Sequence, residues 1–334
     1  MTHTDVPTAM TMRAIVQDRY GSAEVMHLAR VPRPQLAQDD VLVQVRAAGL
    51  DRGTWHMMTG QPYLLRVLGF GFRAPKNRVP GLDVAGTVVA VGSAVTRFSA
   101  GDEVFGISRG SFAEYAAVRE RKLARKPANL TFNQAAAVPI SAGTALQALT
   151  DAGKVRRGQR VLIIGASGGV GSYAVQLAKA FETEVTGVCS TATLDMVRSL
   201  GADHVVDYTC EDFADGIHKY DLILDIAGNS PLSRLRSALA PTGTVVIVGG
   251  EEGGRWTGGF GRSLRAPLLS LFVRQRLTML ASKERASDQE RLTTLIEAGK
   301  VTPSIDSTYP LDGVPKAMRH LEAGNARGKL VITI

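Results

Sequence analysis

The sequence predicts an α/β protein that combines a doubly wound parallel sheet with a mostly antiparallel, barrel-like β domain. From residue 161 onward, short apolar runs alternate with helical patterns, which is typical of a doubly wound sheet. The first of these runs leads into a glycine-rich turn. In the first third of the chain, short apolar runs are separated by Gly, Pro and Asp, which indicates antiparallel strands.

The composition describes a globular chain of about two domains. Of its 334 residues, 45% are hydrophobic and 21% are charged, with a net charge of +8 that favours anionic ligands. No apolar run approaches the roughly 20 residues of a membrane helix, and the N-terminus lacks the apolar core of a signal peptide. We therefore expect a cytoplasmic protein without membrane contact. No dense Lys/Arg stripe with interleaved aromatic residues is present, so we expect no nucleic-acid partner.

The first third of the chain is predicted to contain strands at residues 14–16, 41–45, 84–91 and 112–118. Residues 1–11 are expected to form a loose leader. Residues 51–80 are an irregular insert with an apolar and basic stretch, and two interpretations are open. The insert forms the rim of a functional site, or it covers the barrel as a helix.

The glycine-rich turn follows the apolar strand 161–164 and precedes a helical pattern at 172–180. Strand, turn and helix in this order are what a dinucleotide-binding fingerprint requires. Glycine permits the tight turn and a close approach to pyrophosphate, and the helix N-terminus offers free N–H groups. A tight turn alone could explain the glycines, but the flanking elements favour a nucleotide site. The residues of the turn are Gly165, Ala166, Ser167, Gly168, Gly169, Val170 and Gly171.

The remaining pattern predicts further strands and helices of the parallel sheet. The predicted strands are 185–189, 204–207, 222–225 and 244–248, and a final strand is predicted at 329–334 outside this sheet. The predicted helices are 133–149 and 288–298.

The Gly-x-x-Gly-x-x-Gly turn resembles the signature of the zinc-free quinone oxidoreductase branch of the medium-chain dehydrogenase/reductase superfamily. Segments 81–92 and 101–106 resemble the GroES-like catalytic domain of that superfamily. The resemblance implies a GroES-like catalytic domain at residues 12–133 and 302–334, and a Rossmann NADP(H)-binding domain at residues 134–301. It also implies a small-molecule substrate and a homodimer whose contact and outer strand lie in residues 250–283.

The positions that hold zinc in related alcohol dehydrogenases carry other residues here. The first Cys position falls on Asp51, the His position on Leu82, and the second Cys position near Ile140. Apolar side chains cannot replace sulfur and nitrogen ligands, so we predict no metal. Without a Lewis acid, alcohol oxidation is hard, whereas conjugated acceptors delocalise the incoming charge.

The resemblance therefore implies hydride transfer from NADPH to quinones or α,β-unsaturated carbonyls. Two alternatives remain open at this point. The protein could be an alcohol or carbonyl dehydrogenase, or a catalytically silent NADPH-binding regulatory protein.

Three residues are catalytic candidates by resemblance. Tyr63 lies close to the position of a proton-donating tyrosine of enoyl reductases, although it could also pack on the insert. His56 matches a proton-relay histidine, a role that imidazole suits near neutral pH, or it is a solvated loop residue. Asp51 occupies a position near the nicotinamide, or it serves as a turn residue.

The cofactor is predicted to be NADP(H). Ser190 and Thr191 stand where an acid would bind the ribose 2′-hydroxyl of NAD(H), and small hydroxyls can accommodate a 2′-phosphate. By resemblance, Tyr208 contacts that phosphate and Thr144 approaches the nicotinamide. Arg327 and Lys329 resemble a family element near the cofactor, or they form a basic solvated turn.

Overall fold

The computed structural model describes residues 10–228, 230–249, 254, 256 and 258–334. Within this part of the chain, a six-stranded parallel sheet and a seven-stranded, mainly antiparallel sheet account for most of the strands, with a separate two-stranded sheet. This confirms the predicted fold class. None of the helices in the described ranges is long and apolar enough to cross a lipid bilayer.

The elements fall into three groups along the chain. The first group is β1 (Thr11–Val16), β2 (His27–Pro32), β3 (Asp40–Leu50), α1 (Arg52–Thr59), β4 (Asp83–Val91), β5 (Glu103–Ile107), β6 (Tyr115–Arg119) and β7 (Leu123–Arg125). The second group is α2 (Phe132–Ala136), α3 (Pro139–Gln147), β8 (Arg160–Ile164), α4 (Gly169–Ala180), β9 (Glu184–Cys189), α5 (Leu194–Ser199), β10 (His204–Asp207), β11 (Tyr220–Asp225), α6 (Leu232–Ala238), β12 (Leu239–Ile247), α7 (Phe260–Ser270), β13 (Arg276–Met279) and α8 (Ala286–Glu297). The third group is β14 (Ile305–Pro310), α9 (Val314–Glu322) and β15 (Lys329–Thr333).

The parallel sheet has the strand order β10-β9-β8-β11-β12-β13. Numbered along the chain, this is the order 3-2-1-4-5-6 of a Rossmann fold, and the order reverses between β8 and β11. Alternate residues of β8 face opposite layers, with Val161 and Ile163 in one core and Leu162 in the other. The chain direction places the carboxyl ends of β8 and β11 side by side, where such folds bind ligands.

The antiparallel sheet is completed by the end of the chain. Its strand order is β14-β15-β3-β4-β5-β7, and β6 pairs with β3. In the register of β15 on β3, Leu330 lies opposite Leu50. Lys329 is the first residue of β15, Asp51 follows the last residue of β3, and Asp83 is the first residue of β4. These three residues therefore lie at the same edge of the sheet.

The structure corrects several expected boundaries. The predicted helix 133–149 is interrupted, because Pro139 has no N–H to continue a helix and instead begins α3. Regular pairing in the predicted strand 112–118 starts only at Tyr115. The insert contains α1 and a short π-helical turn at Arg66–Phe70, so it is partly helical.

Some predicted regions are only partly described. The expected leader lies outside the described residues up to residue 9, and Thr11 already belongs to β1. Positions 250–253, 255 and 257 of the predicted outer region are also outside the description, whereas β13 forms the edge of the parallel sheet. The predicted domain boundary near residue 133 lies within α2, and the one near residue 301 lies between α8 and β14.

Candidate functional site

The glycine-rich turn forms a cradle between β8 and α4. Gly165 has a φ of +89°, and its carbonyl accepts a hydrogen bond of 3.2 Å from the amide of Gly168. A Cβ on Gly171 would lie 2.0 Å from that same carbonyl oxygen, so the turn can close only with glycine there. A Cβ on Gly168 would meet only the Gly165 oxygen, at 3.5 Å. The space above Gly168 is therefore open to a ligand at the N-terminus of α4.

A cleft of about 500 Å³ runs along the carboxyl ends of β8 and β9. The predicted cofactor residues that line this cleft are Gly165, Ser167, Ser190, Tyr208 and Arg327. Residues that the sequence analysis did not assign to the cofactor also line it: Cys189, Thr193, Phe213, Ser230, Arg234 and Asn325. The fold thus brings together segments that are more than 150 residues apart in the chain.

Arg234 places a second arginine beside Arg327 in the cleft lining. The Cζ atom of Arg234 lies 4.5 Å from the ring centroid of Phe213. Its guanidinium also donates to Asp212 at 2.9 Å. Sequence reasoning missed Arg234 because it arrives from α6, far from the glycine turn, and no local motif marks it.

An acid, Asp207, lies next to Thr191 at the end of β10. The Thr191 hydroxyl donates to Oδ2 of Asp207, while the amide and hydroxyl of Thr209 donate to Oδ1 at 3.0 and 2.7 Å. These hydrogen bonds, with that of Thr191 the largest, lower the pKa of Asp207. The residue could not be found by counting from the glycines, because it comes from the strand beside β9 and not from the end of β9 itself.

A buried ion pair joins Lys329 of β15 to Asp83 of β4. The Lys329 ammonium donates to Oδ2 of Asp83 at 3.0 Å, and the side chains are 2% and 0% exposed. The amide of Ile140 donates to Oδ1 of Asp83 at 2.7 Å. Burial raises the pKa of Asp83 to about 6, against the lowering effect of Lys329, and the nearby Asp51 raises it further.

The ion pair lies directly beside the glycine turn. A Cβ on Gly169, the first residue of α4, would lie 3.3 Å from Cδ of Lys329. Lys329 therefore passes the helix N-terminus with its aliphatic stem and places its charge on Asp83. Direct contact of its ammonium with a cofactor stays a prediction.

Asp51 caps the N-terminus of α1. Its Oδ1 accepts from the amide of Thr54 at 2.9 Å, as N-cap residues do. Its Oδ2 is buried and has no hydrogen-bond partner among the described residues. A buried carboxylate oxygen without a donor is costly, so this atom is suited to meet a donor group of a ligand.

The side chains at the positions of the zinc ligands do not fit zinc. Leu82 and Ile140 offer no donor atoms, and both oxygens of Asp83 already accept hydrogen bonds. Asp51 keeps one unpartnered oxygen, and a single carboxylate does not supply the three or four ligands that zinc requires. Within the described ranges, no group of three or more His, Cys, Asp or Glu residues is placed to hold a metal ion.

The insert carries two catalytic candidates, His56 in α1 and Tyr63 after it. Nδ1 of His56 lies 2.7 Å from the carbonyl oxygen of Gln61, which leaves Nε2 for other partners. Tyr63 packs edge-to-face on Trp256 with a centroid distance of 5.5 Å, and Arg66 lies 4.6 Å from the Tyr63 centroid. The amide of Leu64, which follows Tyr63, donates to the carbonyl of Trp256 at 3.1 Å. The ring of Tyr63 is thus held between Arg66 of the insert and Trp256.

Thr144 lies in α3, which packs against the glycine-turn helix α4. Its side chain is half-buried. The predicted approach of Thr144 to the nicotinamide stays a prediction.

A Rossmann sheet with an open glycine turn and a cleft along its carboxyl edge defines a dinucleotide-binding class of protein. The alcohol dehydrogenase GroES-like domain family matches residues 37–128, and the zinc-binding dehydrogenase family matches residues 200–332. The chain is 35% identical to a 2-methylene-furan-3-one reductase of Solanum lycopersicum, over 99% of this chain and 81% of the relative.

Two further similarities agree with this. The chain is 35% identical to a chloroplastic NADPH-dependent alkenal/one oxidoreductase of Arabidopsis thaliana, over 98% of this chain and 81% of the relative. The structure of a quinone oxidoreductase from Coxiella burnetii superposes with a TM-score of 0.86 at 29% identity, over 97% of this chain and 100% of that one. The protein belongs to the medium-chain dehydrogenase/reductase superfamily, in its quinone oxidoreductase-like branch, and it is an oxidoreductase that uses a nicotinamide cofactor.

Proposed function

We propose that the protein is a zinc-independent, NADPH-dependent reductase of quinones or α,β-unsaturated carbonyls. The observation that carries the proposal is the buried Asp83–Lys329 pair, together with Leu82 and Ile140, where related dehydrogenases hold zinc. A conjugated acceptor needs no metal to carry the charge of the incoming hydride. The names of the relatives, which include an alkenal/one oxidoreductase and a quinone oxidoreductase, support this substrate class.

The preference for NADP(H) is supported by the positive charge at the cleft. Arg234 and Arg327 line it together with Tyr208, and guanidinium groups bind phosphate well. Asp207 and Asp212 carry negative charge near the cleft, since Asp212 pairs with Arg234 and the hydrogen bonds of Thr191 and Thr209 lower the pKa of Asp207 rather than remove its charge. The proposal therefore depends mainly on the Arg327 guanidinium and on the small hydroxyls of Ser190 and Thr191.

A bound nicotinamide cofactor would supply the hydride, and the chain must bind it, orient the acceptor and provide a proton. The cradle at Gly168 and the N-terminus of α4 are suited to bind the pyrophosphate. For the proton, the chain offers His56 through Nε2 and the Tyr63 hydroxyl, while the unpartnered oxygen of Asp51 can accept a hydrogen bond from the bound ligand. All three lie in or next to the α1 insert, so the acceptor should bind there.

The experiment is a turnover screen with NADPH and NADH over quinones, enals, enones and aldehydes, and with alcohols in the reverse direction. Each reaction is run before and after exhaustive chelation, and bound metals are measured. We expect NADPH-dependent turnover of quinones or enones that survives chelation. Turnover restricted to alcohols or aldehydes and lost with a stoichiometric zinc would favour an alcohol or carbonyl dehydrogenase. Dinucleotide binding without turnover of any acceptor would favour a regulatory protein.

We also propose a cytoplasmic homodimer. The dimer is supported by β13, which lies at the edge of the parallel sheet, and by the exposed Leu271 and Phe272 just before it. Light scattering coupled to gel filtration should give twice the chain mass. A monomer at micromolar concentration would argue against it.

A further inference from the structure

Arg262 of α7 makes three contacts that converge at the carboxyl edge of the parallel sheet. Its Nη1 donates to Oδ2 of Asp225 at 2.5 Å and to the carbonyl of Ser230 at 2.6 Å. Its Nη2 donates to the carbonyl of Gly249 at 3.2 Å. One side chain therefore connects the end of β11, the loop after it and Gly249, which follows β12.

These contacts adjoin the glycine turn. Asp225 lies opposite Ile164 in the register of β11 on β8, one residue before Gly165. A Cβ on Gly165 would lie 3.1 Å from the amide nitrogen of Ala227. Ala227 and Ser230 also line the cleft. Arg262 thus holds the end of β11, one of the two strands that flank the point where the strand order reverses, and dinucleotides cross a Rossmann sheet at that point.

The charge of Arg262 also compensates the buried carboxylate of Asp225. Asp225 is completely buried, and burial raises its pKa, while the Arg262 guanidinium and then the Gly228 amide lower it. Among the described residues, these are the charged and polar groups that face the carboxylate, from α7 and from the loop after β11. Removing one partner of a buried ion pair leaves a charge without compensation.

We propose that Arg262 is a positioning residue of the cofactor site, which holds the ends of β11 and β12 in place and cancels the charge of Asp225 so that an anionic dinucleotide can bind beside it. The inference rests on the proposed function, because it requires that the cleft accept a dinucleotide. Arg262 itself acts through Asp225 and the strand ends and is not assigned contact with the reacting atoms.

The test compares dinucleotide binding by four variants and the unmodified protein. Arg262→Met removes the charge, Arg262→Lys keeps it, and Arg262→Met with Asp225→Asn removes both charges. Arg265→Met is the matched control, because Arg265 lies on the same helix with an exposed side chain. Affinities for NAD⁺ and NADP⁺ are measured by titration calorimetry at about pH 5.5 and about pH 8, on either side of neutrality.

We expect Arg262→Met to weaken binding by about tenfold or more at the higher pH, because an unpaired buried carboxylate would oppose the phosphates. The loss should shrink at the lower pH, since Asp225 without Arg262 takes up a proton more readily. The double variant should recover much of the affinity and lose the pH dependence relative to the unmodified protein. Arg262→Lys should retain the flat pH response, and Arg265→Met should bind normally.

A uniform loss at both pH values that Asp225→Asn does not relieve would overturn the proposal, and so would unchanged affinity. Circular dichroism checks folding, and if Arg262→Met does not fold, the lysine and double variants decide by the same criteria. Failure of the unmodified protein to bind either dinucleotide would refute the proposed function, and this inference with it. Normal binding by the unmodified protein with unchanged affinity of the folded Arg262 variants would refute the inference alone.

Discussion

Replacing Lys329 by Met would remove the cation of the buried ion pair while nearly preserving the volume of the side chain. The Asp83 carboxylate is fully buried and accepts from the Lys329 ammonium at 3.0 Å. Breaking a buried pair by removing one partner costs about 3–5 kcal/mol. For a domain of about 150–250 residues, that loss corresponds to a fall in melting temperature of roughly 6–20 °C.

The loss should depend on pH in a defined direction. The folded-state pKa of Asp83, about 6, lies above its ordinary value of 3.8, so the folded protein binds this proton more tightly than the unfolded chain. Through Asp83, stability is therefore fully present in acid and is lost as the pH rises through about 6. Without Lys329, which lowers this pKa, the window extends to higher pH. Asp51 and Tyr173, which also interact with Asp83, are not replaced in this variant.

The assay is thermal and urea unfolding followed by circular dichroism at several pH values between about 5 and about 8, which bracket the titration of Asp83. The destabilisation by Lys329→Met should be largest at the alkaline end and shrink in acid. Lys300→Met, at an exposed lysine after α8, is the control for the substitution itself. Lys329→Met with Asp83→Asn should be less destabilised and should lack the pH dependence, because Asn can still accept from Ile140. A loss of equal size at every pH would refute the assignment of the effect to the buried carboxylate.

Three further predictions concern the cofactor and the proton. NADPH should bind several-fold more tightly than NADH, and Thr191→Asp should invert this preference, because it adds a carboxylate beside Asp207. Gly168→Val should abolish binding of both dinucleotides while the fold persists, because the open space above the turn would be filled. Tyr63→Phe or His56→Ala should lower enone turnover by about 10²–10⁴-fold if that residue is the acid, and should affect quinones less, because solvent can protonate a hydroquinone anion.

Each of these predictions can fail clearly. Equal or tighter binding of NADH by the unmodified protein would remove the cofactor preference. Undiminished affinity in a folded Gly168→Val protein would place the phosphates elsewhere. If neither Tyr63→Phe nor His56→Ala lowers enone turnover by even about tenfold, the proton comes from another group or from solvent. Nicotinamide fluorescence and steady-state rates are sufficient for all three measurements.

The parts of the fold that depend on local pattern could be predicted from the sequence. Buried parallel strands are nearly continuous apolar runs, so β8, β9, β10 and β11 were located to within a residue or two. The break at Pro139 was missed, because the alanine-rich residues on both sides favour helix and only the missing N–H divides them. The sequence leaves the insert ambiguous because helix α1 is short. The Asp51 side chain caps this helix by accepting from the amide of Thr54, a contact that an ordinary turn residue could also make.

The sequence by itself determined the family resemblance, the glycine cradle and the replacement of the zinc-binding His and second Cys by Leu82 and Ile140, because each depends on residue identity at short spacing. The tertiary structure decided which distant groups meet. Lys329 and Asp83, 246 residues apart, form one ion pair, and Arg262 compensates Asp225. Asp207 reaches Thr191 from a neighbouring strand. Such pairings depend on strand order and register, and a buried charge selects its partner only after the fold has excluded water around it.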